Sequence, residues 1–233
     1  MEIGSPQWEQ LILEGARAFD VALDRSALDR MGVHASELLK WNRRTNLTAI
    51  TDPTGLAVKH ILDSLSPAAL LPANARLLDI GSGAGFPGLP LKIALPAMTV
   101  TLVDGSRKKV SFLKHIIRLL QLDFAEAVQI RAEQMPVQTR FRGAFDVIVC
   151  RAVSSVGEFV ELALPLLRPA GWMMAYRGAR GIPHCRPDTP LSAAELDPAL
   201  AGQSGLSVEI KPYRLPLYDH FRHVVVLRRE PQE

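Results

Sequence analysis

The chain has 233 residues, of which 48% are apolar and 22% charged, the balance of a soluble globular domain with a sizeable core. Its formal charge of +3, from 27 basic and 24 acidic side chains, permits a polyanionic partner without requiring one. Two cysteines, Cys150 and Cys185, exclude a disulfide framework, and the absence of a signal sequence or a membrane-length apolar run points to a cytoplasmic protein.

Residues 1–70 read as a helical subdomain. From Pro6 to Leu23, apolar residues fall at Leu11, Ile12, Ala16, Phe19 and Leu23, near a helical period. Ser26 is the expected cap of a second helix, with Leu28, Met31, Ala35, Leu38 and Leu39 on its buried side. This helix runs into a basic stretch from Lys40 to Thr48 that contains Trp41, Arg43 and Arg44. Asp52-Pro53 is a cap followed by a first-turn proline, starting a third helix to about Ser66. Val58, Ile61, Leu62 and Leu65 form its core stripe, and His60, Asp63 and Ser64 share another face.

Residues 71–233 read as a Rossmann-like α/β domain. The apolar run 77–80 ends in the turn Gly81-Ser82-Gly83-Ala84-Gly85-Phe86-Pro87-Gly88. A short helix follows, then a β-branched run from Thr99 that stops on Asp104. Strand, glycine turn, helix, strand and acid is the order of a nucleotide-binding βαβ unit. Gly81 and Gly83 let the backbone approach a ligand, and Asp104 is placed to accept hydrogen bonds from ribose hydroxyls. Phe86 stands where a dinucleotide fingerprint wants a small residue, and no Lys-Ser or Lys-Thr follows the turn, which excludes a Walker-type cradle. The spacing is G-x-G-x-G with Asp79 two residues ahead, the form used by S-adenosylmethionine methyltransferases.

Ser106 is the expected cap of a helix to about Gln121, whose first turn carries Arg107, Lys108 and Lys109. A third strand fits Ala127 to Arg131, with Ala132-Glu133 at its end. Phe145 to Cys150 is a buried strand followed by Arg151. A helix from Ser155 to Leu167 and a strand from Gly171 to Tyr176 come next. Residues 179–204 read as a surface excursion, and Val208–Arg214 with His223–Arg228 as an edge hairpin. In such a sheet Gly81, Asp104, Glu133 and Arg151 all face one crevice beyond the strand ends. The histidines and cysteines show no metal-ligand spacing. Cys150, ending a buried strand, reads as structural rather than as a nucleophile.

Several motifs occur together: Trp41-Asn42 with Asn46-Leu47-Thr48, His60-Ile61-Leu62-Asp63-Ser64-Leu65, DIGSGAGFPGLPL from Asp79, VDGSRKKVSFL from Val103, and Arg151-Ala152-Val153. In this order they resemble the bacterial small-subunit ribosomal RNA methyltransferase G family, also called glucose-inhibited division protein B. The resemblance runs from about Leu38 to Gly178, with an echo at Arg222-His223. It implies a class I methyltransferase fold and methyl transfer from S-adenosylmethionine to guanine N7 in 16S rRNA, with S-adenosylhomocysteine as product. It also implies a cofactor site at Asp79, Gly81, Gly83, Phe86, Asp104, Ala132, Glu133 and Arg151. Asn46, His60, Asp63 and Arg151 are positioning candidates on the acceptor side. Lys40, Arg43, Arg44, Arg107, Lys108, Lys109 and Arg177 are candidates for contact with RNA. Arg177-Gly178 stands where the family often has Lys-Gly, and Phe221 where an acid is common before Arg222-His223. The expected partner is 16S rRNA or the small ribosomal subunit, the expected state a monomer, and neither a metal nor a membrane is expected. An NAD-dependent oxidoreductase and a nucleotide-binding module without catalysis remain as alternatives at this level.

Overall fold

A computed structural model describes residues 1–151, 155–178, 197, 200, 205–219 and 221–229. Seven strands form one sheet in the order β3-β2-β1-β4-β5-β7-β6. They are β1 (Arg76–Ile80), β2 (Thr99–Asp104), β3 (Ala125–Gln129), β4 (Phe145–Cys150), β5 (Leu167–Arg177), β6 (Leu206–Arg214) and β7 (Phe221–Arg229). The first five are parallel, and β7 lies antiparallel between β5 and β6. The chain reverses its direction of travel across the sheet between β1 and β4. The loops after these two strands therefore diverge and leave a crevice at their C-terminal ends.

The N-terminal helices are α1 (Pro6–Arg17), α2 (Arg25–Thr45), α3 (Pro53–Gly55), a π-helix at Leu56–Leu62, and α4 (Asp63–Leu65). Those of the sheet domain are α5 (Gly88–Ala94), α6 (Arg107–Leu119) and α7 (Val156–Ala163). Alternation along the strands sends side chains to two cores. Leu77, Val100, Val149 and Val226 join Trp8, Ile12, Met31, Leu38 and Leu62 of the helical block in one continuous core. Leu78, Val103, Ile148 and Val225 face Phe159 and Val160 of α7 in the other. One side of the sheet is thus covered by the helical block together with α5 and α6. The indole N–H of the fully buried Trp8 donates to the Pro53 carbonyl at 2.9 Å, which ties α1 to the start of α3.

Several expected boundaries move. α1 stops at Arg17 rather than Leu23, because Asp20 turns into the left-handed region with φ 57°. The second helix is capped by Asp24, whose carboxylate accepts the Ala27 N–H at 2.7 Å; Ser26 lies inside it. Lys40–Thr45 belongs to α2 rather than following it, and the helix ends where Asn46 adopts φ 50°. The third helix is interrupted by the π-helix, although its stripe Val58, Ile61, Leu62 and Leu65 is buried as expected. Ser106 precedes α6 without a capping bond from its side chain. β3 lies two residues earlier than expected, so Ala132-Glu133 stands in a 3₁₀ turn beyond it, not at the strand tip. α7 ends at Ala163, and β5 begins at Leu167 instead of Gly171. Residues 179–204, apart from Asp197 and Leu200, and Ala152-Val153 lie outside the described residues.

Candidate active site

The glycines of the β1–α5 turn divide into two pairs. Gly81 and Gly83 have φ of 71° and 56°, a conformation that favours glycine. Among the described residues no atom lies within 4 Å of the Cβ that Gly81 lacks, and only the Gly81 carbonyl, at 3.8 Å, comes near that of Gly83. This backbone faces open space. Gly85 and Gly88 are packed instead: a Cβ on Gly85 would strike Leu89, and one on Gly88 would strike Leu102 and the Asp79 carboxylate.

Two acids brace the turn. Asp79 is fully buried and accepts the Gly88 N–H on Oδ2 at 2.9 Å, while its Oδ1 has no hydrogen-bond partner. Burial pushes its carboxyl up to about 7, against the opposing pull of the Gly88 bond. Asp104 accepts the Gly83 N–H on Oδ2 at 3.1 Å and the Ser106 N–H on Oδ1 at 2.8 Å. Lys109 is 3.5 Å from the same Oδ2, so this member of the basic cluster serves the crevice wall.

Phe86 carries the turn into the helical block. Its ring lies between two imidazoles, with His60 at 4.4 Å and 9° and His34 at 4.8 Å and 28°. Arg151 reaches over the same ring, 6.0 Å from its centroid. His60 Nε2 is 2.8 Å from Thr48 Oγ1. Burial pushes the His60 imidazole down to about 3, with Arg151 and then His34 adding to the shift, so it is neutral near pH 7. Thr48 is held by Asn42, which accepts the N–H groups of Leu47 and Thr48 at 2.6 and 2.9 Å and donates to the Thr48 carbonyl at 2.9 Å. Asn46 is exposed at the end of α2, so Asn42 is the asparagine that organises this loop.

Asp63 is 0% exposed and gathers partners from β6, β7 and the loop that follows β4. Arg151 Nη2, just after β4, lies 2.8 Å from Oδ2. Arg222 Nε of β7 and the Tyr213 hydroxyl of β6 donate to Oδ1, each at 2.6 Å. Arg151 also donates to the Lys59 carbonyl at 2.9 Å and to Ser64 Oγ at 3.3 Å. The face shared by His60, Asp63 and Ser64 is therefore the face on which the helical block meets the sheet. Tyr213 is a site member that no local pattern indicated, and Arg222, marked only as part of the Arg222-His223 echo, gave no sign of its partner, because Asp63 is 150 and 159 residues away from them.

The remaining candidates lie around this centre. Lys40, Arg43 and Arg44 occupy the last turns of α2; Lys40 pairs with Glu37 at 2.7 Å, whereas both arginines are exposed. Arg107 and Lys108 are exposed at the start of α6. Glu133 is exposed in the turn after β3, beside a half-buried Ala132. Arg177 ends β5 opposite His223 of β7, whose two ring nitrogens are buried without a partner. Cys150 is buried at the end of β4. Among the described residues no group of His, Cys, Asp or Glu is placed to hold a metal ion, and no helix is long and apolar enough to cross a membrane.

A family model described as rRNA small subunit methyltransferase G matches residues 28–186. A protein of Geotalea uraniireducens named Ribosomal RNA small subunit methyltransferase G is 38% identical over 221 residues, 95% of this chain and 96% of the relative. One of Geobacter sp. strain M21 with the same name is 43% identical over 170 residues, 73% of this chain and 77% of the relative. The chain belongs to the rRNA small subunit methyltransferase G family. Solved structures agree on the fold. An O-methyltransferase of Bacillus cereus in complex with SAH gives a TM-score of 0.61 at 17% identity, covering 96% of this chain and all of its own. TYW2 of Pyrococcus horikoshii in complex with MeSAdo gives 0.56 at 17% identity, covering 74% and 63%.

As a methyltransferase G family member with the Rossmann-like class I fold, the chain is an S-adenosylmethionine-dependent methyltransferase. This sets aside the oxidoreductase and the module without catalysis. The turn fits that cofactor. Among the described residues two left-handed glycines border open space, and the Asp104 carboxylate is tied to the turn beside them.

Proposed function

We propose that this protein methylates N7 of a guanine in 16S rRNA, acting as a cytoplasmic monomer on the RNA or on the small ribosomal subunit. Membership of the family supports the rRNA acceptor, and the observation that carries the cofactor half of the reading is the open backbone at Gly81 and Gly83, with Asp104 at its rim. When bound, S-adenosylmethionine supplies a methyl group on a sulfonium centre. Gly81 and Gly83 would admit it closely, Asp104 would accept from ribose hydroxyls, and Ala132-Glu133 would help to hold it. Asp79 holds the turn from below, and Phe86 and Arg151 close the side nearest the helical block.

Guanine N7 has a lone pair and no proton, so no general base is needed and catalysis rests on alignment. The neutral His60, on the face of Phe86, and Asn46, at the end of α2, line the acceptor side. Asp63 acts through Arg151: both carboxylate oxygens are taken, and its buried charge fixes the guanidinium that faces the crevice. Arg43, Arg44, Arg107 and Lys108 supply exposed positive charge for phosphates, Lys40 and Arg177 extend that rim, and Lys109 reaches it from the Asp104 pair. Residues 1–70 form the subdomain that carries the acceptor side, and 71–233 the cofactor domain.

The test is transfer of labelled methyl from S-adenosylmethionine to unmethylated small subunits and, in parallel, to protein-free 16S rRNA. Label recovered as 7-methylguanine at one position is the expected result. Label on another base atom would overturn the N7 assignment. No transfer by protein that still binds the cofactor would overturn the acceptor.

A further inference from the structure

We infer that His34 is a positioning residue for the cofactor turn, latching it to α2 through the Ala84 carbonyl. His34 is 0% exposed, and its Nε2 lies 2.8 Å from Ala84 O, 50 residues along the chain. A carbonyl can only accept, so Nε2 carries the proton and Nδ1 is left bare. Nδ1 is buried with no partner among the described residues. Ordinary packing does not require this polar atom, because an apolar ring of the same size would fill the space and leave nothing orphaned. Burial pushes the imidazole down to about 4, which keeps it in the single-proton form the latch uses.

The start of the turn is tied to β2, where the Ser82 N–H donates to Val103 O at 2.9 Å and the Gly83 N–H to Asp104 at 3.1 Å. Within the turn the N–H groups of Gly85 and Phe86 both donate to Ser82 O, at 2.7 and 3.1 Å, and the Ser82 hydroxyl donates to Asp79 O at 2.8 Å. His34 adds a tie from the helical block at Ala84, and its ring simultaneously faces Phe86. It therefore sets the height of Ala84–Phe86 over the open glycines and, through Phe86, the seat of His60. The helical block, which carries the acceptor side, thus also adjusts cofactor affinity. The inference rests on the reading of this turn as the cofactor site.

Two substitutions separate the hydrogen bond from the ring contact. His34→Gln keeps an N–H at the same number of bonds from the backbone, and His34→Phe keeps the ring and loses the donor. Measurements are the S-adenosylmethionine Kd by calorimetry, amide exchange of Gly85 and Phe86 in cofactor-free protein, and Tm. His34→Phe is expected to raise Kd about tenfold, the size of one lost buried hydrogen bond, and to speed exchange at both amides. His34→Gln is expected to stay within about threefold. Met31→Ala, a buried apolar residue one turn earlier in the same helix, is the control for lost packing. Wild-type affinity in His34→Phe, equal weakening in both variants, or the same Kd loss in Met31→Ala at matched Tm would each overturn the latch. Failure of the wild-type protein to bind the cofactor would overturn the reading of the turn itself, and the latch with it.

Discussion

Replacing Asp63 by asparagine tests how the helical block is fastened to the sheet. The change keeps size and shape but removes the charge between two guanidinium groups and turns one acceptor into a donor facing Arg151. Breaking a buried ion pair by removing one partner costs about 3–5 kcal/mol. Arg151 and Arg222 keep side-chain exposures of 17% and 29%, so water recovers part of the loss and about 3 kcal/mol is the better figure. For a chain of this length that lowers Tm by about 6–12 °C. Urea and thermal unfolding measure it directly. Tyr213→Phe, alone and combined, completes a double-mutant cycle, because Tyr213 donates to the same carboxylate. Burial and then Asp63 push the Tyr213 hydroxyl above its ordinary range, so it remains a donor throughout. Asp63→Asn within about 0.5 kcal/mol of wild type, an ordinary surface effect, would refute a central role for the cluster.

Stability depends on pH through groups of opposite sign. His34 and His60 are depressed to about 4 and about 3 from 6.5, so their contribution is full above pH 6.5 and is lost as pH falls toward those values. Asp79 is raised to about 7 from 3.8, so its contribution is full below pH 3.8 and is lost as pH rises through 7. Asp79→Asn should therefore gain relative to wild type by up to about 4 kcal/mol between pH 4 and 8; a difference that stays flat in urea titrations would contradict the buried carboxyl. Gly81→Ala places a methyl in open space at φ 71°. Cofactor Kd should rise more than about tenfold, with a cost of only about 1–2 kcal/mol in stability. Gly88→Ala should instead lower Tm, as its Cβ meets Leu102 and Asp79; calorimetry and melting distinguish the two. Removing Arg43 and Arg44 together should raise KM for RNA, leave cofactor Kd unchanged, and flatten the slope of log affinity against log salt by about 1.4. An unchanged slope would take both arginines off the RNA path.

The sequence was most legible where one local force decides. The run Phe145–Cys150 is bounded and apolar except at Asp146, and β4 has those ends. The turn from Gly81 and the acid at Asp104 also stand where expected, because left-handed glycines and a strand-end carboxylate leave local marks. Asp24 and Ser26 are both competent caps two residues apart, so composition alone could not choose between them. The π-helix hides for a related reason: its altered hydrogen bonding leaves the apolar stripe intact. Phe86 read as a break in a dinucleotide fingerprint and, through the resemblance, as a cofactor residue, but its stacking on His34 and His60 needed three dimensions. Asp63 stood out by its spacing on a helix, but its service to Arg151, Tyr213 and Arg222 depends on strands far along the chain.

The position of β7 has a consequence for how the protein is made. Synthesis delivers β6 first, yet β6 joins the sheet only through β7, which enters between it and β5. Among the described residues β7 therefore works as a keystone: without it β5 has an open edge and Asp63 lacks Arg222. A nascent chain halted before residue 221 holds the glycine turn but has a buried carboxylate short of one counter-charge.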